Sequence, residues 1–402
     1  MAHFRDRYVS KKINELLSFS PIVGVFGHRQ VGKTTLLSKH ASDYRTLDLS
    51  ENLDLATNDP MRFLAQATSG HFAIDEAQLC PNLFPALKEF VRQKKSRPGL
   101  FLLSGSVRFS SRKQIRESLT GRISTLELLP FSQSELSQLP LPRLPVDLLS
   151  KTLASIPALS KAATSNAFDK KLQNYLALGG LPGVCFLRKE EHRQARLRSQ
   201  LETIIERDLQ LIYQTTLPSR TVLQFLQALA ADQNKPLDLR GLARRSGISV
   251  PTTKQLIRAF ESLFVIRLIP TRGERTPVLF FEDQAEASYL ASQGYDGMTD
   301  FIRLGFANLR QAYHYRPELQ AEVFQYRTRS GAYVPIAFQT KAGTIGYIFS
   351  LDESPSPQAL ASAKSFLDRF PQSRVVILHQ FKRVQVLNPN IALCPLSLLL
   401  QH

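Results

Sequence analysis

Gly27-His28-Arg29-Gln30-Val31-Gly32-Lys33-Thr34 has the spacing G-x-x-x-x-G-K-T, which cradles phosphate. Small residues let the backbone curl until successive N–H groups face one anion. Lys33 then reaches the β- and γ-phosphates of a nucleotide as a point charge, and the hydroxyl of Thr34 is placed to ligate Mg2+, with Thr35 beside it at the mouth of the loop. A second chemical pair follows in Asp75-Glu76, at the end of the apolar run His71-Phe72-Ala73-Ile74. Beside a phosphate loop, the first acid holds Mg2+, usually through water, and the second polarises the attacking water as general base. A polar side chain at the end of the next apolar run, Leu100–Leu103, would sense the γ-phosphate or orient that water. Ser104 and Ser106 both qualify, and the sequence does not separate them from each other or from a helix cap; Ser104 is carried as the site residue.

Elements must position these groups. Ile22-Val23-Gly24-Val25-Phe26 reads as a buried strand before the loop, and Thr35–His40 as the first turns of a helix after it. Strand, loop and helix N-terminus in that order bring free N–H groups and the positive helix end to the anion. The expected fold is therefore α/β, a parallel sheet of the P-loop type with helices on both faces.

From Tyr8 to about Glu135 the chain resembles the AAA-type bacterial and archaeal ATPases that carry a C-terminal domain of uncharacterised function. The resemblance rests on the loop (with His28 where that family has Pro), on Tyr44–Asp48, Asn58-Asp59-Pro60, Ile74–Gln78 and Leu103–Ser106, and on Glu117-Ser118-Leu119-Thr120-Gly121-Arg122. It implies ATP and Mg2+ as cofactors, ATP hydrolysis as the activity, and Arg122 as an arginine that meets nucleotide phosphate, in cis or across a subunit boundary in an oligomer.

The length of 402 residues exceeds what one core usually supports, so several domains are expected. The expected division is a nucleotide domain over 1–137, a linker and helical segment over 138–215, a winged helix-turn-helix over 216–276 and a small restriction-endonuclease-like α/β domain over 277–402. In the third unit, Leu237–Arg245 and Val250–Phe264 flank a turn at Ser246–Ser249, and Ile266–Ile269 begins a wing. A DNA-reading second helix would present Thr252, Thr253, Lys254 and Arg258 to the duplex; packing of the unit on the ATPase core as a lid is the competing role. In the last unit the resemblance extends to Val278–Asp283, the hairpin Tyr326–Pro335 and the strand Ala337–Lys341. A nuclease centre needs carboxylates where this chain has Pro335 and Gln339, which leaves Asp300 as the one acid, so binding without cutting is expected.

The chain carries 51 basic and 34 acidic residues, a formal charge of +17, which favours polyanions such as double-stranded DNA or serves solubility. Three scattered cysteines form no disulfide framework or metal-ligand spacing, the first residues lack a signal-peptide pattern, and no apolar run approaches the ~20 residues needed to span a bilayer. A cytoplasmic location, no membrane association, and a protein partner or oligomer as further possibilities complete the expectation.

Overall fold

A computed structural model describes residues 5–67, 70–108, 119–150, 153 and 165–402. The nucleotide domain is built on a five-stranded sheet of β1 (Ile22–Gly27), β2 (Asp43–Thr46), β3 (Phe72–Asp75), β4 (Phe101–Gly105) and β5 (Ile123–Leu128), in the order β2-β3-β4-β1-β5. Every pairing is parallel. β1, β3 and β4 are buried along their whole length, which is why they read as continuous apolar runs rather than alternating ones. α1 (Val9–Leu17) and α2 (Lys33–His40) cover one face; α3 (Leu83–Gln93) and the helices at Ser50–Asn58 and Pro60–Ala65 cover the other. This is the P-loop arrangement expected from the sequence. Because β4 lies between β1 and β3, the carboxyl ends of three strands converge on one crevice, where ligands bind in open α/β sheets.

The chain continues through α4 (Asn166–Leu178), which ends at Gly179 with φ of 67°, a conformation suited to glycine. α5 (Glu190–Thr203) follows, and it passes through a π-helical turn at Ile204–Asp208 into Leu209–Ile212. Then comes a unit of three helices, α6 (Ser219–Ala231), α7 (Leu239–Ser246) and α8 (Val250–Ser262). Gly247 at φ of 65° closes α7, and the Ser249 hydroxyl accepts from the Thr252 N–H to start α8 with Pro251 in its first turn. β6 (Ile266–Ile269) leaves this unit and pairs antiparallel with β8 (Val278–Phe281). β8 was expected to open the C-terminal domain. It pairs with β6 and lies between the two units: Leu279 and Phe281 are buried in the core of the helical unit, and Val278 and Phe280 in the C-terminal core.

Between them β7 (Thr271–Arg272) joins a seven-stranded mixed sheet with β9 (Glu322–Arg327), β10 (Tyr333–Thr340), β11 (Gly343–Phe349), β12 (Arg374–His379), β13 (Gln385–Asn388) and β14 (Ile391–Pro395). α10 (Gly297–His314) and α12 (Leu396–Gln401) pack with α4 on one face, α11 (Pro357–Arg369) on the other. α9 (Gln284–Leu290) bridges back toward the nucleotide domain. The register of β10 against β9 shifts between Val334 and Ala337. Pro335 sits in that bulge, where a missing N–H is tolerated. Asp300 pairs with Arg303 at 2.5 Å, while Gln339 is exposed near the end of β10 and Lys341 lies just beyond it. Among the described residues no helix is long and apolar enough to cross a membrane, and no group of three or more His, Cys, Asp or Glu side chains is gathered as a metal site.

Candidate nucleotide site

β1 delivers Gly27 to the crevice and the chain curls through His28–Gly32 into the N-terminus of α2. The curl needs left-handed backbone at Gln30 (φ 60°) and Gly32 (φ 100°). At Gly32 the dihedral, rather than space, demands glycine, since the atoms nearest to where a Cβ would stand are 3.5 Å away or more. Lys33 is buried and folds back, donating to the carbonyls of Gly27 at 3.0 Å and His28 at 2.9 Å. Burial pushes its pKa down, against the opposing pull of Glu76 and Asp75. A buried ammonium satisfied only by two carbonyls matches an anion site: a phosphate would offer the same donors a full negative charge.

The Thr34 hydroxyl donates to Asp75 Oδ2 at 2.6 Å, so the two groups suited to Mg2+ already meet. Ser104 donates to the other oxygen, Asp75 Oδ1. The structure thus separates the two serines. Ser104 orients Asp75, whereas Ser106 lies 3.1 Å from Gln78 Nε2 and 3.5 Å from Glu76 Oε2. Glu76 stands at φ of 56°, which turns its side chain off the strand line; its N–H is held by Asp75 Oδ1 at 3.1 Å and Ser104 Oγ at 3.3 Å. Gln78 donates directly to Glu76 Oε2. The fold therefore brings Lys33, Thr34, Asp75, Glu76 and Ser104 together.

Three other contributors were given no role from the sequence, although Tyr44 and Gln78 lie in segments that carry the resemblance. The Tyr44 hydroxyl donates to Asp75 Oδ2 at 2.6 Å, and burial followed by this bond raises its pKa. Gln78 grips the base. Arg7 donates from Nη1 to the loop carbonyl of Val31 at 2.8 Å and from Nε to Glu135 at 3.0 Å, which braces the outside of the phosphate loop.

Other expected residues play parts that the sequence did not foretell. The His28 side chain turns away from the crevice, is 1% exposed, and meets Glu286 of α9 at 3.1 Å. Its Nδ1 lies 2.7 Å from the Arg29 carbonyl oxygen. Arg29 pairs with Asp208 of the π-turn at 3.1 Å. Val31 is core. Arg122 immediately precedes Ile123, which is in register with Ile22 at the start of β1, whereas Gly27 is at its end. Five strand residues separate the two edges by roughly 17 Å. Arg122 is thus on the sheet edge opposite the loop and cannot touch the nucleotide of its own chain; Glu117 and Ser118 of its motif lie outside the described residues. Thr253 is fully buried and bonded to the Ser249 carbonyl at 3.0 Å, so it presents nothing to a duplex; Lys254 and Arg258 are exposed and Thr252 half-buried.

Residues 19–137 match an AAA domain. The parallel sheet and the loop after β1 give this part of the chain the P-loop NTPase fold. Residues 169–283 match a domain of unknown function, DUF8612, whose span takes in α4, the π-turn, the three-helix unit and β8. Two uncharacterized mycobacterial proteins, Rv2008c of Mycobacterium tuberculosis and Mb2031c of Mycobacterium bovis, are each 27% identical over 69% of this chain and 57% of their own length. The chain thus spans little more than half of these curated relatives. Among solved structures, a RuvB variant from Thermotoga maritima aligns at 16% identity and TM-score 0.31 over 68% of this chain and 91% of its own. AMPPCP-bound DnaA from Aquifex aeolicus aligns at 14% identity and TM-score 0.25 over 63% and 86%.

Proposed function

We propose that the chain is a Mg2+-dependent ATP hydrolase whose turnover rearranges the three-helix unit and the C-terminal mixed sheet. The observation that carries this reading is the meeting of Lys33, Thr34, Asp75, Glu76 and Ser104 at the carboxyl edge of one parallel sheet. Lys33 exchanges its two carbonyls for phosphate oxygens. Thr34 and Asp75 hold Mg2+, which when bound neutralises charge on the phosphates. Glu76 accepts the proton of the attacking water once Gln78 lets it go, and Ser104 keeps Asp75 oriented.

The route outward begins at Ser104. Three residues beyond β4, Arg108 donates its N–H to the Ser262 carbonyl at 2.7 Å and its Nε to the Glu261 carbonyl at 2.8 Å, at the end of α8. Movement of β4 is therefore felt by that helix. We read the three helices and the β6–β8 hairpin as a winged helix that contacts double-stranded DNA through exposed Lys254 and Arg258 with half-buried Thr252. The C-terminal sheet binds rather than cuts: of the positions a nuclease would use, only Asp300 is an acid, and it is already paired to Arg303.

The deciding experiment measures ATP hydrolysis by wild type and Glu76→Gln with and without double-stranded DNA, at low and moderate salt. Turnover stimulated by DNA and fading with salt supports a DNA-linked motor, since phosphate contacts release counterions. Turnover indifferent to DNA removes DNA as the partner and leaves a protein. A second reading, a nucleotide-operated switch with slow turnover, is favoured by one observation, the grip of Gln78 on Glu76.

A further inference from the structure

Where α8, β6 and the end of the helix Leu209–Ile212 meet the chain leaving β4, they surround a cavity of about 550 Å³. A volume of that order holds a nucleotide-sized ligand rather than a lone ion. Its wall favours an anion, with Arg108 from beyond β4, Arg267 from β6 and Arg258 from α8. Arg108 and Arg267 are half-buried and share Glu127 and Glu282, and Arg310 also closes on Glu282, so three guanidinium groups meet two carboxylates. Glu261, the acid on the wall, accepts from the Leu268 N–H at 3.1 Å and is balanced by Arg258, which leaves one positive charge over.

Three polar groups at this cavity make no hydrogen bond or ion pair with the described residues. They are the guanidinium of Arg258 and the amide of Gln255, both on the exposed face of α8, and the hydroxyl of half-buried Tyr213, the residue that ends the helix Leu209–Ile212. An aromatic ring set beside cations is the arrangement that holds unpaired nucleotides, the base on the ring and the phosphate on the charges. Lys254 and Arg258 are one helical turn apart on the exposed side of α8, so a phosphate backbone that follows them arrives at the cavity. A base inside a duplex has both faces stacked and its edge paired, and cannot enter a recess; an unpaired base can.

We infer that this cavity takes an unpaired nucleotide of a nucleic-acid strand, with its base stacked on Tyr213 and its phosphate held by Arg258 in the field of Arg108 and Arg267. This rests on the DNA reading above and narrows it, from a duplex alone to a duplex that carries a single-stranded segment. Gln255 supplies a donor and an acceptor to the base or sugar without selecting a sequence.

The test uses the full chain and two DNA probes, a blunt duplex and the same duplex with a short single-stranded overhang that contains 2-aminopurine. Anisotropy gives the affinities, and the 2-aminopurine emission reports stacking. Wild type should bind the overhang about tenfold more tightly than the blunt duplex, the gain from one base–aromatic stack, and should quench the emission. Tyr213→Leu keeps apolar bulk against the core and removes the aromatic face. It should lose the preference and the quenching while its affinity for the blunt duplex stays within about twofold, whereas Tyr213→Phe retains both. Arg258→Ala should weaken both probes and lower the salt slope by about one phosphate. Free dAMP, which offers base and phosphate without the backbone along α8, should leave the quenched overhang in place at concentrations matching the probe. Displacement there would assign the cavity to a mononucleotide and overturn the strand. Equal affinity of wild type for the two probes, or a Tyr213→Leu protein that still prefers and quenches the overhang, would sink the inference and leave the duplex reading standing. Binding of neither probe would remove the DNA reading and this inference together.

Discussion

Gln78 donates to one carboxylate oxygen of Glu76, Oε2. A hydrogen bond to a charged group is worth about 1.5–3 kcal/mol, enough to keep the base withdrawn nine times in ten or more. Removing it in Gln78→Ala should raise kcat about tenfold, up to the point where another step limits, with nucleotide affinity unchanged. Glu76→Gln should retain nucleotide binding while kcat drops by about 10²–10⁴, the range for a lost general base. Lys33→Ala should lose binding itself. Steady-state hydrolysis alongside nucleotide titration reads all three; a Glu76→Gln enzyme turning over at the wild-type rate would void the assignment of the base. Lys33, Thr34, Asp75 and Glu76 were legible because each sits inside a contiguous motif whose spacing is set by local backbone. Gln78, Tyr44 and Arg7 were not, since their contacts exist only after the strand order brings β2 beside β3 and the N-terminal segment against the loop. Ser104 and Ser106 flank one glycine and became distinguishable only when the end of β4 was set beside β3, with Ser104 on Asp75 and Ser106 by Glu76 and Gln78.

At the level of elements, the phosphate loop is fastened to α9 by the buried pair of His28 and Glu286. Burial pushes the His28 pKa down, yet the Glu286 carboxylate, its hydrogen bond, the Arg29 carbonyl and the more distant Asp283 outweigh burial and leave it raised. A pKa raised on folding contributes stability that is fully present below the unfolded value, about 6.5, and is lost as pH rises through the folded value. Wild type should therefore lose stability in that window. Glu286→Gln should flatten the loss, because the imidazole no longer gains from charge. Urea unfolding midpoints at about pH 6 and pH 9 measure the difference, and an equal fall in both proteins would remove His28 as its source. The substitution of His for the family's Pro was visible in the sequence; its partner, 258 positions away, was not. The two helices on either side of Gly247–Ser249 were legible for the opposite reason, as Gly247 and Ser249 write the turn locally. β8 was given to the C-terminal unit on the resemblance of Val278–Asp283, a strand ending in acids, whereas it pairs with β6 and packs on both cores. In the fold Glu282 meets Arg108, Arg267 and Arg310, whose charges outweigh burial and lower its pKa, and Asp283 caps α9 through the Ala285 and Glu286 N–H groups.

At the scale of the whole molecule, that cluster joins the parts. Glu127 on β5 and Glu282 after β8 share Arg108 and Arg267, and Arg310 of α10 closes on Glu282, so sheet, helical unit and C-terminal domain meet at one set of charges, with Glu282 and Arg310 buried and the others half-buried. Removing one partner of buried Glu282 is costly, so the set holds the parts together and carries movement from one to the next. The nucleotide edge and the opposite edge of the five-stranded sheet remain as the places where a second copy would matter. Arg122 stands on that opposite edge, roughly 17 Å from its own phosphate loop. If it serves catalysis, it serves the site of a neighbour. Arg122→Ala keeps an intact base and lacks the finger; Glu76→Gln keeps the finger and lacks the base. Each alone should be nearly inactive, whereas mixing them at a concentration that supports assembly should restore a fraction of wild-type hydrolysis, because some sites then combine the base of one copy with the arginine of the next. Dilution should abolish the restored rate together with the wild-type rate. A mixture that stays as inactive as its parts at every concentration, or an Arg122→Ala protein that hydrolyses normally alone, would assign Arg122 to the surface.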